Sequence, residues 1–91
     1  MEKQRHVSLE KLVKRKHQLI RAITDLTRYG VSILTINCGH DMPLIEVANS
    51  GGIGRLKAED AGQGHNLYGY YQRKMAQLHG CQIIWQEPIN H

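Results

Sequence analysis

No stretch of this chain stays apolar for long. The longest unbroken run is Ile83-Ile84-Trp85, against the roughly 20 residues that a membrane-crossing helix requires, so no membrane partner is expected. The N-terminal sequence MEKQRHVSLEKLVKRK has no apolar core segment and does not read as a signal peptide. A cytoplasmic location is the expectation. Cysteine is scarce: Cys38 and Cys81 are too few for the disulfide framework of a small secreted domain. Internal repeats and low-complexity tracts are missing as well. With 41% hydrophobic residues, the composition is not that of a disordered chain. Its 91 residues read as a single domain over 1–91, one that buries only roughly 60–65% of the unfolded surface. A chain so small gains from a second subunit, and a homodimer is expected.

What the chain has is charge, unevenly placed. Lys3, Arg5, Lys11, Lys14, Arg15, Lys16, Arg21 and Arg28 fall in the first 28 residues, against Glu2, Glu10 and Asp25. Residues 1–30 carry a net +5 and the rest −1. Leu9, Leu12, Val13, Leu19, Ile20, Ile23 and Leu26 recur at three- and four-residue spacing, which predicts a helix over 8–29 with Ser8 as N-cap and Gly30 just past its end. Lys11, Lys14, Gln18, Arg21, Asp25 and Arg28 repeat at the same spacing on the opposite face. In heptad terms Leu9, Lys16 and Ile23 share one seam position, and Lys16 interrupts it. Such a helix is expected to pack first on a sheet and second on another subunit. Its basic face suits an acidic surface.

Residues 31–37 are short and β-branched, which predicts a strand. Cys38 to Met42 then form a turn, and a second strand over 43–48 completes a hairpin. Residues 49–66 hold most of the glycines and read as a long loop. The spacing of Leu67, Tyr71, Met75 and Leu78 predicts a second helix over 67–79, ended by Gly80, and 81–86 is the last strand. The expected fold is α+β, in the order α-β-β-(loop)-α-β, with a mostly antiparallel three-stranded sheet packed by the two helices. Both strand faces are partly apolar, so one face or a strand edge would be left for dimerisation or a partner.

Signals for chemistry are few. Cys38-Gly39-His40 and His79-Gly80-Cys81 are mirrored pairs whose four side chains have the donor types of tetrahedral zinc. One intervening residue strains two ligands on one ion, however, and each residue has its own structural reason to be present: Cys81 opening a buried strand, His79 near a helix end. No metal and no cofactor are expected. Gly51-Gly52-Ile53-Gly54 matches the G-x-x-G of KH domains but follows a strand rather than a helix, and neither the P-loop nor G-x-G-x-x-G is satisfied. A flexible loop beside Arg55 and Lys57 is the simpler account. Tyr68, Tyr70 and Tyr71 precede Arg73 and Lys74, a pairing of rings and bases that could stack on nucleobases or anchor an interface. No nucleophile, base and orienting group can be assembled, so no enzyme is expected.

Met42-Pro43-Leu44-Ile45-Glu46-Val47 and Gly80-Cys81-Gln82-Ile83-Ile84-Trp85, separated by a glycine-rich stretch, resemble small accessory proteins of temperate phages and prophages over roughly residues 31–86. The resemblance implies a binding role among genes for recombination, transcriptional control and defence against the host. It supplies no catalytic residues. The leading expectation is a regulatory protein that contacts nucleic acid through Lys11, Lys14, Arg15, Arg21 and Arg28, with Arg55, Lys57, Tyr68, Tyr70, Arg73 and Lys74 contributing. The alternative is an inhibitor that binds an acidic surface on a host nuclease or defence complex. A small metal-dependent enzyme using Cys38, His40, His79 and Cys81 is a distant third.

Overall fold

Gly30 sets the first boundary. In the computed structural model, which describes residues 9–38 and 42–89, helix α1 runs Leu9–Tyr29 and Gly30 follows at φ +82°. The Gly30 N–H donates to the Thr27 carbonyl at 3.0 Å and the Val31 N–H to the Leu26 carbonyl at 2.9 Å. These are the paired bonds of a Schellman motif. Val31 and Leu26 are both buried, so the apolar contact that accompanies the motif ties the helix end to the core. The expected N-cap Ser8 lies outside the described residues, as do Gly39, His40 and Asp41.

Strands β1 (Ile33–Asn37) and β2 (Leu44–Val47) pair antiparallel, with Ile36 opposite Ile45 and an irregularity at Leu34. Beyond Val47 the structure departs from the expected order. A turn of 3₁₀ helix (Ile53–Arg55) leads into β3 (Glu59–Asn66), β4 (Gly69–Leu78) and β5 (Cys81–Pro88). The five strands form one mixed sheet in the order β1-β2-β5-β4-β3, with β2 and β5 parallel. The expected three-stranded sheet with a second helix over 67–79 is therefore wrong, and 49–66 is not a plain loop.

The reasons lie in local chemistry. Tyr71 and Met75 are four residues apart, an even interval that suits one face of a strand as well as one face of a helix. Leu67 and Tyr68, read as the start of that helix, form the tip of the β3–β4 hairpin and are 97% and 95% exposed. The Tyr68 N–H donates to Asn66 Oδ1 at 2.8 Å, an Asx turn that reverses the chain. Strand β3, Glu-Asp-Ala-Gly-Gln-Gly-His-Asn, has no alternating apolar residues to betray it. Polar pairing holds it instead: Gln72 Nε2 donates to the Gly62 carbonyl at 2.7 Å, Gln63 Nε2 to Gln72 Oε1 at 3.2 Å, and Lys74 pairs with Asp60. His79 and Gly80 make the two-residue turn into β5 with φ of +51° and +78°, both left-handed as a type I′ hairpin demands.

One sheet face is dry. Ile45, Val47, Cys81, Ile83, Trp85 and Ala76 project from neighbouring strands into a core shared with Ala22 and Leu26 of α1. Leu56, with the partly buried Ile53, extends that core from the 3₁₀ segment. The Trp85 Nε1–H is satisfied by Glu87 Oε2 at 3.0 Å. Leu44, Glu46, Gln82 and Ile84 alternate with these residues onto the other face and are only half-buried. Gly52 fixes the loop against the helix. It sits at φ +95°, and a Cβ there would lie 2.9 Å from the Tyr29 carbonyl carbon and closer still to its oxygen.

Candidate functional site

Helix α1 is about 31 Å long at 1.5 Å per residue, and the sheet takes only its C-terminal half. Ala22 and Leu26 are fully buried, with Leu19, Ile23 and Tyr29 packed beside them. At the β4–β5 turn, a Cβ on Gly80 would lie 2.9 Å from Gln18 Cδ, so that turn abuts the helix near its middle. Residues N-terminal to this point extend past the sheet. Leu9 is 75% exposed, and Leu12 and Val13 are nearly half exposed.

Orientation matters more than length. At about 100° per residue, Val13 and Ile20 lie roughly 160–180° around the helix from Ala22, which faces the core. The apolar arc read from the sequence is broad, and the sheet covers only the margin defined by Leu19, Ala22 and Leu26. The remainder, Leu9, Val13 and Ile20, forms an outward line with Lys16 in its middle, and Ile20 is 52% exposed, while Leu12 lies on the Leu19 side and is exposed because the helix there has passed the sheet. Large apolar residues in a contiguous exposed line mark an interaction surface more often than chance placement does.

Along one flank of this line runs an open groove of about 730 Å³, lined by Leu9, Val13, Lys14, His17, Arg21 and His79 among others. His79 on its lining belongs to an ionic cluster. Asp25 accepts from or pairs with His79 Nε2 at 2.7 Å and Arg28 Nη1 at 3.4 Å, which consumes the acidic charge in this half of the helix. Lys14, Lys16 and Arg21 form no ion pair among the described residues. The groove therefore has an apolar rim, Leu9 and Val13, and a largely cationic one, Lys14 and Arg21, with Glu10 as the acidic residue of its lining. His79 enters this site from a strand turn rather than from the end of a second helix, which no spacing rule in the sequence could show.

The basic and aromatic residues singled out from the sequence do not converge. Lys11, Lys14, Arg15, Arg21 and Arg28 are on α1, where Lys14, Arg21 and Arg28 fall on one line at seven-residue intervals. Arg55 lies over the Tyr29 ring at 5.6 Å, at the opposite end of the helix from Lys11, and Lys57 is exposed just beyond it. Tyr68 caps the β3–β4 hairpin, and Tyr70 meets the His65 ring at 5.6 Å. Strand β4 spans about 30 Å at roughly 3.3 Å per residue, which separates that hairpin tip from the helix-side turn at His79. Arg73 lies over the Tyr71 ring at 5.7 Å, while Lys74 points to the other face and pairs with Asp60.

The cysteine–histidine set is likewise dispersed. Cys38 is exposed and Cys81 buried, and burial, with the neighbouring Cys38 as a smaller cause, pushes the Cys81 thiol up. One residue beyond the paired ends of the two ladders, both flank Pro43, which immediately precedes β2. Their Cα atoms are thus about two strand spacings, roughly 9–10 Å, apart, beyond the reach of a disulfide. His79 is engaged by Asp25, and His40 is outside the described residues. No three potential ligands cluster among the described residues.

Fold and surface together define a small α+β protein that displays half of an amphipathic helix beyond its own core. Among the described residues no helix is long and apolar enough to cross a membrane. The chain belongs to the Kil protein family, whose pattern it matches over residues 12–86, and it is thereby a phage-encoded accessory protein. The match begins inside α1 at Leu12 and stops at Gln86 within β5, taking in Val13 and Ile20 of the exposed helix face but not Leu9, and nearly all of the sheet. No curated protein and no solved structure matches it.

Proposed function

We propose that this phage accessory protein acts without catalysis, by binding a host protein through the outward face of α1. One observation carries the reading: Leu9, Val13 and Ile20 form an uncovered apolar line beside Lys14, Lys16 and Arg21, cations with no ion pair among the described residues. A surface evolved only for phosphate would gain nothing from a line of exposed aliphatic side chains, since phosphate contacts are polar and charged. A protein interface uses this mixture, an apolar centre with a charged rim. The expected contributions of Arg55, Lys57, Tyr68 and Tyr70 to one nucleic-acid surface also lose support, because those residues sit at distant corners of the fold.

A photo-crosslinking amino acid placed at Ile20, with another at the remote, exposed Lys57 as control, tests the reading in infected or expressing cells. A discrete, nuclease-resistant protein adduct from position 20, absent from position 57, is the expected result. Nuclease-sensitive adducts from position 20 would overturn it. Nucleic acid remains the second reading on one specific observation, the single file of Lys14, Arg21 and Arg28 along α1.

A further inference from the structure

The outward face of α1 also constrains what can occupy it. We infer that the partner element is an acidic amphipathic helix that lies along the N-terminal half of α1, with a carboxylate opposite Lys16. This rests on the protein-binding reading above and narrows it to one partner chemistry.

Shape supplies the first argument. Leu9, Val13 and Ile20 span 11 residues of helix, about 16 Å of rise, which is three turns of a facing helix. A helix presents anchors at matching three- and four-residue intervals, and such ridges fit the grooves between those of α1. The backbone groups of α1 are used within the helix itself, so it offers no ladder for a strand to join. An arriving segment must satisfy its own backbone, and a helix does so.

Charge supplies the second. α1 holds six basic and two acidic residues; Asp25 is already engaged by His79 and Arg28, which leaves Glu10 of the first turn as the single acid against Lys14, Lys16 and Arg21 along the groove. Lys16 lies within the apolar line, so any partner that covers the line also removes Lys16 from water. A buried ammonium is tolerated only when paired. Lys14 and Arg21 on the far rim of the groove call for further carboxylates. The same arrangement disfavours a second copy of this chain. A two-fold pairing of the exposed lines meets repulsion in either direction: parallel, it sets Lys16 against Lys16, and antiparallel, it brings the two cationic rims to the same side. The homodimer expected from chain size would therefore not use this face.

Two synthetic peptides of equal length and identical Leu spacing serve as probes, one with Glu and one with Gln at the flanking positions. Each is titrated by fluorescence anisotropy against the full chain at low and high salt. The Glu peptide should bind at least tenfold tighter than the Gln peptide and should lose most of that advantage at ~1 M salt, where the Debye length is about 3 Å. Lys16→Glu should reverse the preference toward a third peptide carrying Lys at the same positions. Ile20→Asn should weaken all of them while leaving the circular dichroism spectrum unchanged. By sedimentation, Lys16→Leu should self-associate where the parent chain does not pair through α1. Equal binding of the Glu and Gln peptides, an unreversed preference in Lys16→Glu, or parent dimers abolished by Ile20→Asn would each overturn the inference. If position 20 still crosslinks to protein while the peptides fail, only the helical, acidic partner is refuted. If position 20 crosslinks to nucleic acid, both readings fall.

Discussion

Gly52→Ala isolates the contact that sets the direction of α1. Two costs act at this site. A residue with a Cβ in the left-handed region costs roughly 1–2 kcal/mol. In addition, the new methyl would press on the backbone of Tyr29 and come within 3.2 Å of Gly30, and backbone cannot rotate aside as a side chain can. Overpacking of that kind adds about 1–3 kcal/mol. Gly30→Ala is the internal control, because Gly30 is also left-handed at φ +82° but its Cβ would meet nothing within 4 Å. The expected losses are thus about 1–2 kcal/mol at Gly30 and about 2–5 kcal/mol at Gly52, against a total stability on the order of 5–15 kcal/mol. Urea and thermal melts of the two variants, followed by circular dichroism, read the difference directly. Each kcal/mol should lower Tm by about 4–8 °C in a chain of this size. Equal destabilisation of the two variants would refute the clamp between the 3₁₀ segment and the end of α1.

Ile83→Ala, at a fully buried site in the central strand, should cost about 2–5 kcal/mol in urea unfolding, whereas Ile20→Asn should stay within about 0.5 kcal/mol of the parent; similar losses from both would mean that Ile20 packs inside. Burial raises the Cys81 thiol above its ordinary value of 9.0, so the folded chain keeps that proton when the unfolded chain has lost it. Stability from this source is complete below pH 9 and declines as pH rises through the folded value, and Cys81→Ala should flatten the alkaline limb of the urea midpoint. Duplex and single-stranded oligonucleotides should give flat anisotropy titrations even at low salt. A steep log–log salt dependence, near −0.9 per duplex phosphate contacted and flattened in Lys14→Gln, Arg21→Gln, would return nucleic acid to first place.

The helix was legible because its determinants are local. Periodicity over 9–26 and a glycine at 30 define α1, and the hairpin of β1 and β2 follows from β-branched runs around a turn. β5 announces itself by Ile83, Ile84 and Trp85. β3 was not legible, since its glycines and polar residues are those of a loop and only the side chains of Gln72 and Lys74 on the next strand make it a strand. β4 was misread because Tyr71 and Met75 satisfy both periods, and the deciding turn depends on an Asn66 side-chain bond. The site was half legible. Lys14, Lys16 and Arg21 were visible as charge and Leu9, Val13 and Ile20 as an apolar face, but the sequence assigns that whole face to the core. Which margin of a broad apolar arc meets the sheet is decided by the Schellman motif at Gly30 and the close approach at Gly52, not by the arc itself. His79 carried no signal of its own, because its link to Asp25 crosses 54 residues of chain.

The position of β5 bears on how the protein is made. Of the five strands β5 is the last in sequence, yet it occupies the middle of the sheet, with β2 on one side and β4 on the other. The Leu44 to Gln82 pairing joins residues about 38 positions apart, so the two halves of the sheet stay separate until synthesis reaches the C-terminal segment. Until then Ala22 and Leu26 have only Ile45 and Val47 of the β1–β2 hairpin to pack on, without Ile83 and Trp85. The early part of the chain must wait, open to chaperones and proteases, for the final strand to close the structure. A chain cut before Cys81 would lack the central strand and should fail to fold.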